Sequence, residues 1–265
     1  MKGTLKQGAL QDRKLRIYLP PSYTSDRHRY PVVYVKDYGD LFDPDASDSL
    51  LALEGMFADG TLPELVLVGV QALNRNDEYT PWKAAALSDK FSPFGGKGEA
   101  YLSFLTQELK PYIDSRFRTN PAAEQTAIIG KSLGGLISMF AACRHPGIFG
   151  KIGSISGSYW YPGMVDYLKS HARSDPHMRI YMDVGTLEGA GKQSIQKDMV
   201  PLTRAAYEVW RENGLSEERL TLVAEEGGLH EHRFFCRRFP QALRWLFAEA
   251  AGLEEPKETA GRDGA

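Results

Sequence analysis

Hydrophobic positions recur along this chain with two periods, one near two residues and one near three and a half. Leu15 to Leu19 alternates apolar and basic residues, the pattern of a half-exposed strand. Pro20, Pro21 and Ser25-Asp26 then break the chain into a turn. Tyr30 to Val35 and Leu65 to Val70 are short, dense apolar runs, as in strands buried on both faces. Thr126 to Ile129, Lys151 to Ile155, Arg179 to Val184 and Leu220 to Ala224 add four more strands. Helical spacing marks Glu99 to Phe117, where Pro111 predicts a kink or a break into two helices. Further helices are predicted over Leu133 to Cys143, over Met199 to Asn213 with Gly214 as its stop, and over Pro240 to Ala250. Strands alternating with helices imply one α/β domain: a mostly parallel central sheet with helices on both faces. Right-handed crossovers place its chemistry at the strand C-terminal ends. That domain is expected over residues 1–252, with 253–265 as a polar, flexible tail.

Composition narrows the partners. Net charge is −2, and Lys and Arg are scattered rather than gathered in a stripe, which argues against nucleic acid. The longest apolar runs are strand-sized, so no membrane span is expected. Met1 to Leu10 is polar and lacks the apolar run of a signal peptide, so a cytoplasmic location is expected. Cys143 and Cys236 are accordingly read as reduced thiols.

The most informative stretch is Ile129-Gly130-Lys131-Ser132-Leu133-Gly134-Gly135. It reads G-x-S-x-G between an expected buried strand and an expected helix. A serine on so sharp a turn projects its hydroxyl out of the sheet edge, and the Leu133 N–H at the helix start can stabilise an oxyanion. A phosphate loop is excluded, because Gln125 stands where that motif requires glycine. The fold class is therefore the α/β-hydrolase fold.

A serine needs a base. Of six histidines, only His230 and His232 follow a late strand, and Gly227-Gly228 would let that loop bend over the nucleophile. His230, nearest the glycines, is preferred over His232. No H-E-x-x-H, cysteine cluster or obvious third ligand makes His230-Glu231-His232 a metal site, and neither metal nor cofactor is expected. The chain order Ser, acid, His puts the acid after Arg179 to Val184. Glu188, beyond the strand end, is favoured over Asp183 within it. The second oxyanion amide is expected from Tyr38 or Gly39, in the loop after Pro31 to Lys36.

Several segments together resemble the branch of the α/β-hydrolase superfamily that holds enterochelin (siderophore) esterases, esterase D, feruloyl esterases and antigen 85 mycolyltransferases. They are Arg29 to Tyr34, Arg75 to Trp82, Phe104 to Leu109, Ile129 to Gly135, Ser156 to Trp160 and Gly228 to His230. The likeness runs from about Lys14 to Ala248. It implies the roles of Ser132 and His230 directly, and Gly185-Thr186-Leu187-Glu188 matches a segment ending in that branch's acid. Asp37-Tyr38-Gly39 departs from the Asp-Gly or His-Gly of many relatives, which leaves open the amide that completes the oxyanion hole. Glu78 to Trp82 and Ser158 to Trp160 most resemble the siderophore-esterase members.

Tyr79, Trp82, Tyr159, Trp160 and Tyr161 fall in two loops expected at the strand ends. They could build an aromatic pocket, with Arg75 as an anchor for an anionic or catecholate group. The competing expectation is that the aromatics pack the loops and that Arg75 pairs with Asp77 or Glu78. The expected function is a serine esterase acting on a small-molecule ester, of siderophore-trilactone or aromatic type. An acyltransferase with the same triad, or a non-catalytic binding protein on the scaffold, are the alternatives. Monomer and homodimer are both compatible, the alternating N-terminal segment being a candidate edge strand for pairing across a dimer.

Overall fold

The computed structural model describes residues 1–248. The expected tail, and the end of the expected last helix, lie outside these. In chain order the strands are β1 (Thr4–Leu10), β2 (Arg13–Leu19), β3 (Val32–Val35), β4 (Val66–Val70), β5 (Lys83–Ala84), β6 (Phe94–Gly95), β7 (Thr126–Lys131), β8 (Lys151–Ile155), β9 (Arg179–Gly185) and β10 (Leu220–Glu225). The helices are α1 (Ser49–Asp59), α2 (Arg75–Glu78), α3 (Gly98–Phe104), α4 (Lys110–Arg116), α5 (Leu133–Arg144), α6 (Met164–His171), α7 (Met199–Glu212) and α8 (His232–Phe247).

Eight strands form one sheet in the order β1-β2-β4-β3-β7-β8-β9-β10, and β5 with β6 make a small separate hairpin. From β4 to β10 every pairing is parallel, while β1 and β2 join antiparallel. Alternation along a strand deals residues to opposite faces. In β3, Val32 and Tyr34 enter a core with Leu136, Ile137 and Phe149, while Val33 and Val35 enter another with Leu53, Phe239 and Leu243. All four are fully buried, which is why β3 reads as an unbroken apolar run.

Several expectations are revised. The Leu15 to Leu19 strand is neither half-exposed nor an edge: β1 pairs on one side of it and β4 on the other, and Leu15, Ile17, Tyr18 and Leu19 are buried. The edge on that side of the sheet is β1, whose residues are mostly exposed and too polar to announce a strand by themselves. Glu99 to Phe117 does not break at Pro111, because α3 passes through a π turn at Leu105–Leu109 straight into α4. Pro111 lies inside this continuous run, directly after the π turn, where the regular ladder of backbone hydrogen bonds is already interrupted. The last helix starts at His232, with Pro240 inside it. Phe235, Phe239, Ala242, Leu243 and Leu246 recur at helical spacing and are all buried, enough to offset the ~3 kcal/mol of an interior proline. Both cysteines are free thiols. Among the described residues no helix is long and apolar enough to cross a membrane.

Candidate active site

Loops leaving the C-terminal ends of β3, β7, β9 and β10 carry Asp37-Tyr38-Gly39, Ser132, Glu188 and His230. Ser132 sits between β7 and α5 with φ 56° and ψ −121°, a conformation an L-residue adopts only under constraint. Three backbone hydrogen bonds impose it. The Ser132 N–H donates to Ile155 O at 2.9 Å, and its carbonyl accepts from Leu136 N at 3.0 Å and Ser158 N at 3.1 Å. Gly130 is obligatory: a Cβ there would lie 2.6 Å from Lys36 Cγ and 2.7 Å from the Gly134 backbone. The structure thus brings strand, helix and the buried Lys36 stem together behind one serine.

His230 follows β10 on a loop bent at Gly227, φ 69°. Gly228 packs so tightly on Gly185 that a Cβ on Gly185 would meet the Gly228 carbonyl oxygen at 2.3 Å. This close backbone approach aligns the two loops. His230 Nε2 lies 3.0 Å from Ser132 Oγ, and Nδ1 lies 2.7 Å from Glu188 Oε2. The other late histidine goes elsewhere, with His232 Nε2 3.2 Å from Cys236 Sγ.

Glu188 is buried, and its second oxygen accepts from Gly185 N at 2.8 Å, from Ser156 Oγ, and from the Arg238 guanidinium at 3.3 Å. Burial alone would raise its pKa. The hydrogen bond and charge of His230, with Ser156 and the Gly185 amide, outweigh that and hold it below the ordinary carboxylate value. Asp183, the other candidate acid, is fully buried and turned to different partners. Its Oδ1 accepts from Ser156 N at 2.9 Å and from Arg238 at 2.5 Å. Burial pushes it up to about 7 against the pull of that guanidinium.

Asp37, Tyr38 and Gly39 take φ values of 56°, 58° and 71° in succession. This left-handed run folds back onto β4 at Gly69, where a Cβ would meet Gly39 N, Tyr38 C and Tyr38 O at 2.6 Å. The Gly39 N–H is already bonded to Lys36 O at 3.0 Å, and the Asp37 N–H to the Tyr79 hydroxyl at 2.9 Å. Of the two expected donors, the geometry therefore turns Gly39 away and leaves Tyr38. The Arg16 guanidinium over the Tyr38 ring, 4.6 Å from its centroid, helps hold that residue.

The aromatic set divides between the two expectations, four residues packing the loops and Trp82 keeping exposed surface. Tyr79 and Tyr159 are fully buried with their hydroxyls engaged, Tyr79 on Asp37 N and Tyr159 on Ser154 Oγ at 2.7 Å. Trp160 packs on Phe94 and Tyr161 binds Trp82 O, both inside the core. These four pack the loops against the sheet instead of lining a stacking surface. Trp82 is half-buried, with Nε1 donating to Pro162 O at 2.9 Å. Arg75 pairs with neither Asp77 nor Glu78: it binds Asp37 through Nε at 2.7 Å and the Lys131 carbonyl at 3.2 Å. Glu78 is taken by Arg13 instead. Asp37 also receives Lys131, and these two cations hold its pKa down although burial pushes it up.

Sequence reasoning missed Ser156, Ser158, Asp37 and Arg238. The Ser156-Gly157-Ser158 motif was a visible signal, but its hydroxyls find their targets only through folding. Arg238 carried no local signal at all.

A mostly parallel α/β sheet with these loops at its strand ends is the architecture of the α/β-hydrolase fold. Residues 8–246 match the family described as "Putative esterase", and the chain belongs to it. It is a carboxylic ester hydrolase. The chain is 43% identical over 249 residues to the uncharacterized protein YbbA of Bacillus subtilis, covering 94% of this chain and 98% of YbbA. It is 26% identical to an endo-1,4-beta-xylanase/feruloyl esterase of Xylanibacter ruminicola, over 87% of this chain and 29% of that protein. An IroE-like serine hydrolase from Shewanella oneidensis superposes with TM-score 0.74 at 22% identity, over 92% of this chain and 80% of that one. Enterobactin esterase from Shigella flexneri superposes with TM-score 0.72 at 20% identity, over 93% of this chain but 58% of that one. The last two likenesses bear on the fold.

Proposed function

We propose that the chain is a serine esterase working through an acyl-enzyme, with Ser132 as nucleophile, His230 as base and Glu188 as acid. One observation carries this reading: the unbroken hydrogen-bond chain from Ser132 Oγ through both imidazole nitrogens to a buried, ionised carboxylate. Glu188 can only accept, so it fixes the proton on Nδ1 and leaves the Nε2 lone pair for the serine. As Ser132 Oγ attacks the ester carbonyl carbon, its proton passes to Nε2 and the carbonyl π pair moves onto oxygen. The Leu133 and Tyr38 amides receive that oxyanion. Collapse expels the alcohol with the proton from Nε2. Water then repeats the sequence on the acyl-enzyme and frees the acid.

Relatives named as enterobactin and feruloyl esterases make a siderophore-type trilactone or an aromatic ester the substrate class to test first. Trp82, half-buried, and Arg75 are the two expected substrate contacts that keep exposed surface. The experiment is a panel of p-nitrophenyl acetate and butyrate, methyl ferulate and a catecholate trilactone, with and without an added alcohol. Ser132→Ala is expected to lower kcat by ~10^4-fold or more with folding intact. Undiminished turnover by that variant would sink the nucleophile assignment, and dominant ester exchange with the alcohol would make the chain a transferase.

A further inference from the structure

Resting on the acyl-enzyme reading, we propose that Ser158 is a further catalytic residue, a fixed hydroxyl donor to the nucleophile oxygen that assists its departure in deacylation. Its Oγ lies 3.2 Å from Ser132 Oγ. It is fully buried in the turn after β8, where its N–H donates to the Ser132 carbonyl and its own carbonyl accepts from Tyr161 N. The backbone is thus clamped to the serine it serves, and water does not reach the hydroxyl.

Either serine could in principle donate, but the rest of the site decides. The Glu188 carboxylate has no proton to give, so the imidazole carries its proton on Nδ1 and presents a lone pair at Nε2. Ser132 has one proton, and Nε2 stands 3.0 Å away to take it. The remaining contact of Ser132 Oγ must therefore be accepted, and Ser158 must donate it. The order of protons is Ser158 to Ser132 to His230, with Glu188 closing the chain.

A fixed donor on this oxygen acts unequally on the two half-reactions. In acylation the donor already holds the hydroxyl oxygen of free Ser132, so little is gained on reaching the transition state. In the acyl-enzyme, by contrast, Oγ is an ester oxygen, a poor acceptor, and the contact strengthens only as its bond to carbon breaks. In deacylation, water attacks the acyl carbonyl and gives a proton to His230. The bond from carbon to Ser132 Oγ then breaks, its electron pair goes to that oxygen, and the imidazolium returns the proton there. Ser158 transfers nothing. It stabilises the negative charge that accumulates on Oγ before the proton arrives, as a preorganised donor does at an oxyanion.

The test uses Ser158→Ala and Ser158→Cys beside wild type and Ser132→Ala, with p-nitrophenyl acetate in pre-steady state and steady state. With Ala, kcat is expected to fall ~10-fold and KM to fall in proportion, leaving kcat/KM nearly unchanged. A burst should approach one nitrophenolate per site, and mass spectrometry should find the acetyl group on Ser132. Cys, a weaker donor, should lie between Ala and Ser. Equal losses in kcat and kcat/KM without a burst, or wild-type kinetics in both variants, would overturn the role of Ser158 while the acyl-enzyme reading stands. Turnover that survives Ser132→Ala would overturn that reading, and Ser158's role with it.

Discussion

Replacing Arg238 by Met should destabilise the protein by an amount that grows with pH, and the structure sets both size and sign. The guanidinium reaches from α8 to Asp183 at 2.5 Å, Ser156 Oγ at 3.1 Å and Glu188 at 3.3 Å, all buried, and to the partly exposed Glu225 at 3.2 Å. Removing one member of a buried ion pair costs about 3–5 kcal/mol, because the other charge is left in a poor solvent for it. Protonation limits that penalty, and Asp183 is the group that takes the proton. Burial already pushes it up to about 7 with Arg238 present. Without the guanidinium it rises further, while Glu188 keeps His230, Ser156 and the Gly185 amide.

An acid whose pKa is raised on folding contributes most below its unfolded value of ~3.9, and loses that contribution as pH rises through its folded value. In the wild type the loss ends near the folded value of about 7. In Arg238→Met it continues, at ~1.4 kcal/mol per pH unit. The two stability curves should therefore run parallel near pH 5 and diverge above neutrality. Urea unfolding followed by tryptophan fluorescence between about pH 5 and pH 8.5 measures this. Asp183→Asn on the Arg238→Met background should remove the divergence. A constant difference across the range, or a double variant that keeps the slope, would refute the argument.

Two further outcomes are expected. Glu188→Gln presents an amide where a carboxylate fixes the imidazole, so kcat should drop by roughly 10^3–10^4-fold with KM little changed; retention of even a tenth of wild-type kcat would remove Glu188 from its assigned role. Gly69→Ala places a methyl 2.6 Å from the Tyr38 and Gly39 backbone and must shift the loop proposed to hold the oxyanion. It should lower kcat ~10^2-fold or more, the scale of one lost oxyanion donor, alongside ~1–3 kcal/mol of stability; unaltered kcat would mean that this loop supplies no donor.

What the sequence by itself determined is what local pattern encodes. Unbroken apolar runs become strands buried on both faces, as in β3 and β4, because no polar side chain interrupts either face. Gly130-Lys131-Ser132-Leu133-Gly134 reads as a strand-to-helix turn because only glycine fits so near Lys36 and the helix backbone. Chain order on such a fold then put Glu188 and His230 within reach of Ser132. The polar β1 was illegible, since an edge strand with little burial carries no apolar period and forms by pairing with β2.

Tertiary structure decided everything that depends on which distant groups meet. Arg75 binds Asp37 instead of its chain neighbours, Tyr79 and Tyr159 vanish into the core, and Gly39 gives its amide to Lys36. Aromatic and charged side chains have no intrinsic address: the same tyrosine can wall a pocket or fill a core. Position is set by the close approach of loops from β3, β7, β8, β9 and β10. A chain read in one dimension contains the hydrogen-bonding groups, and only their packing in three assigns each donor its acceptor.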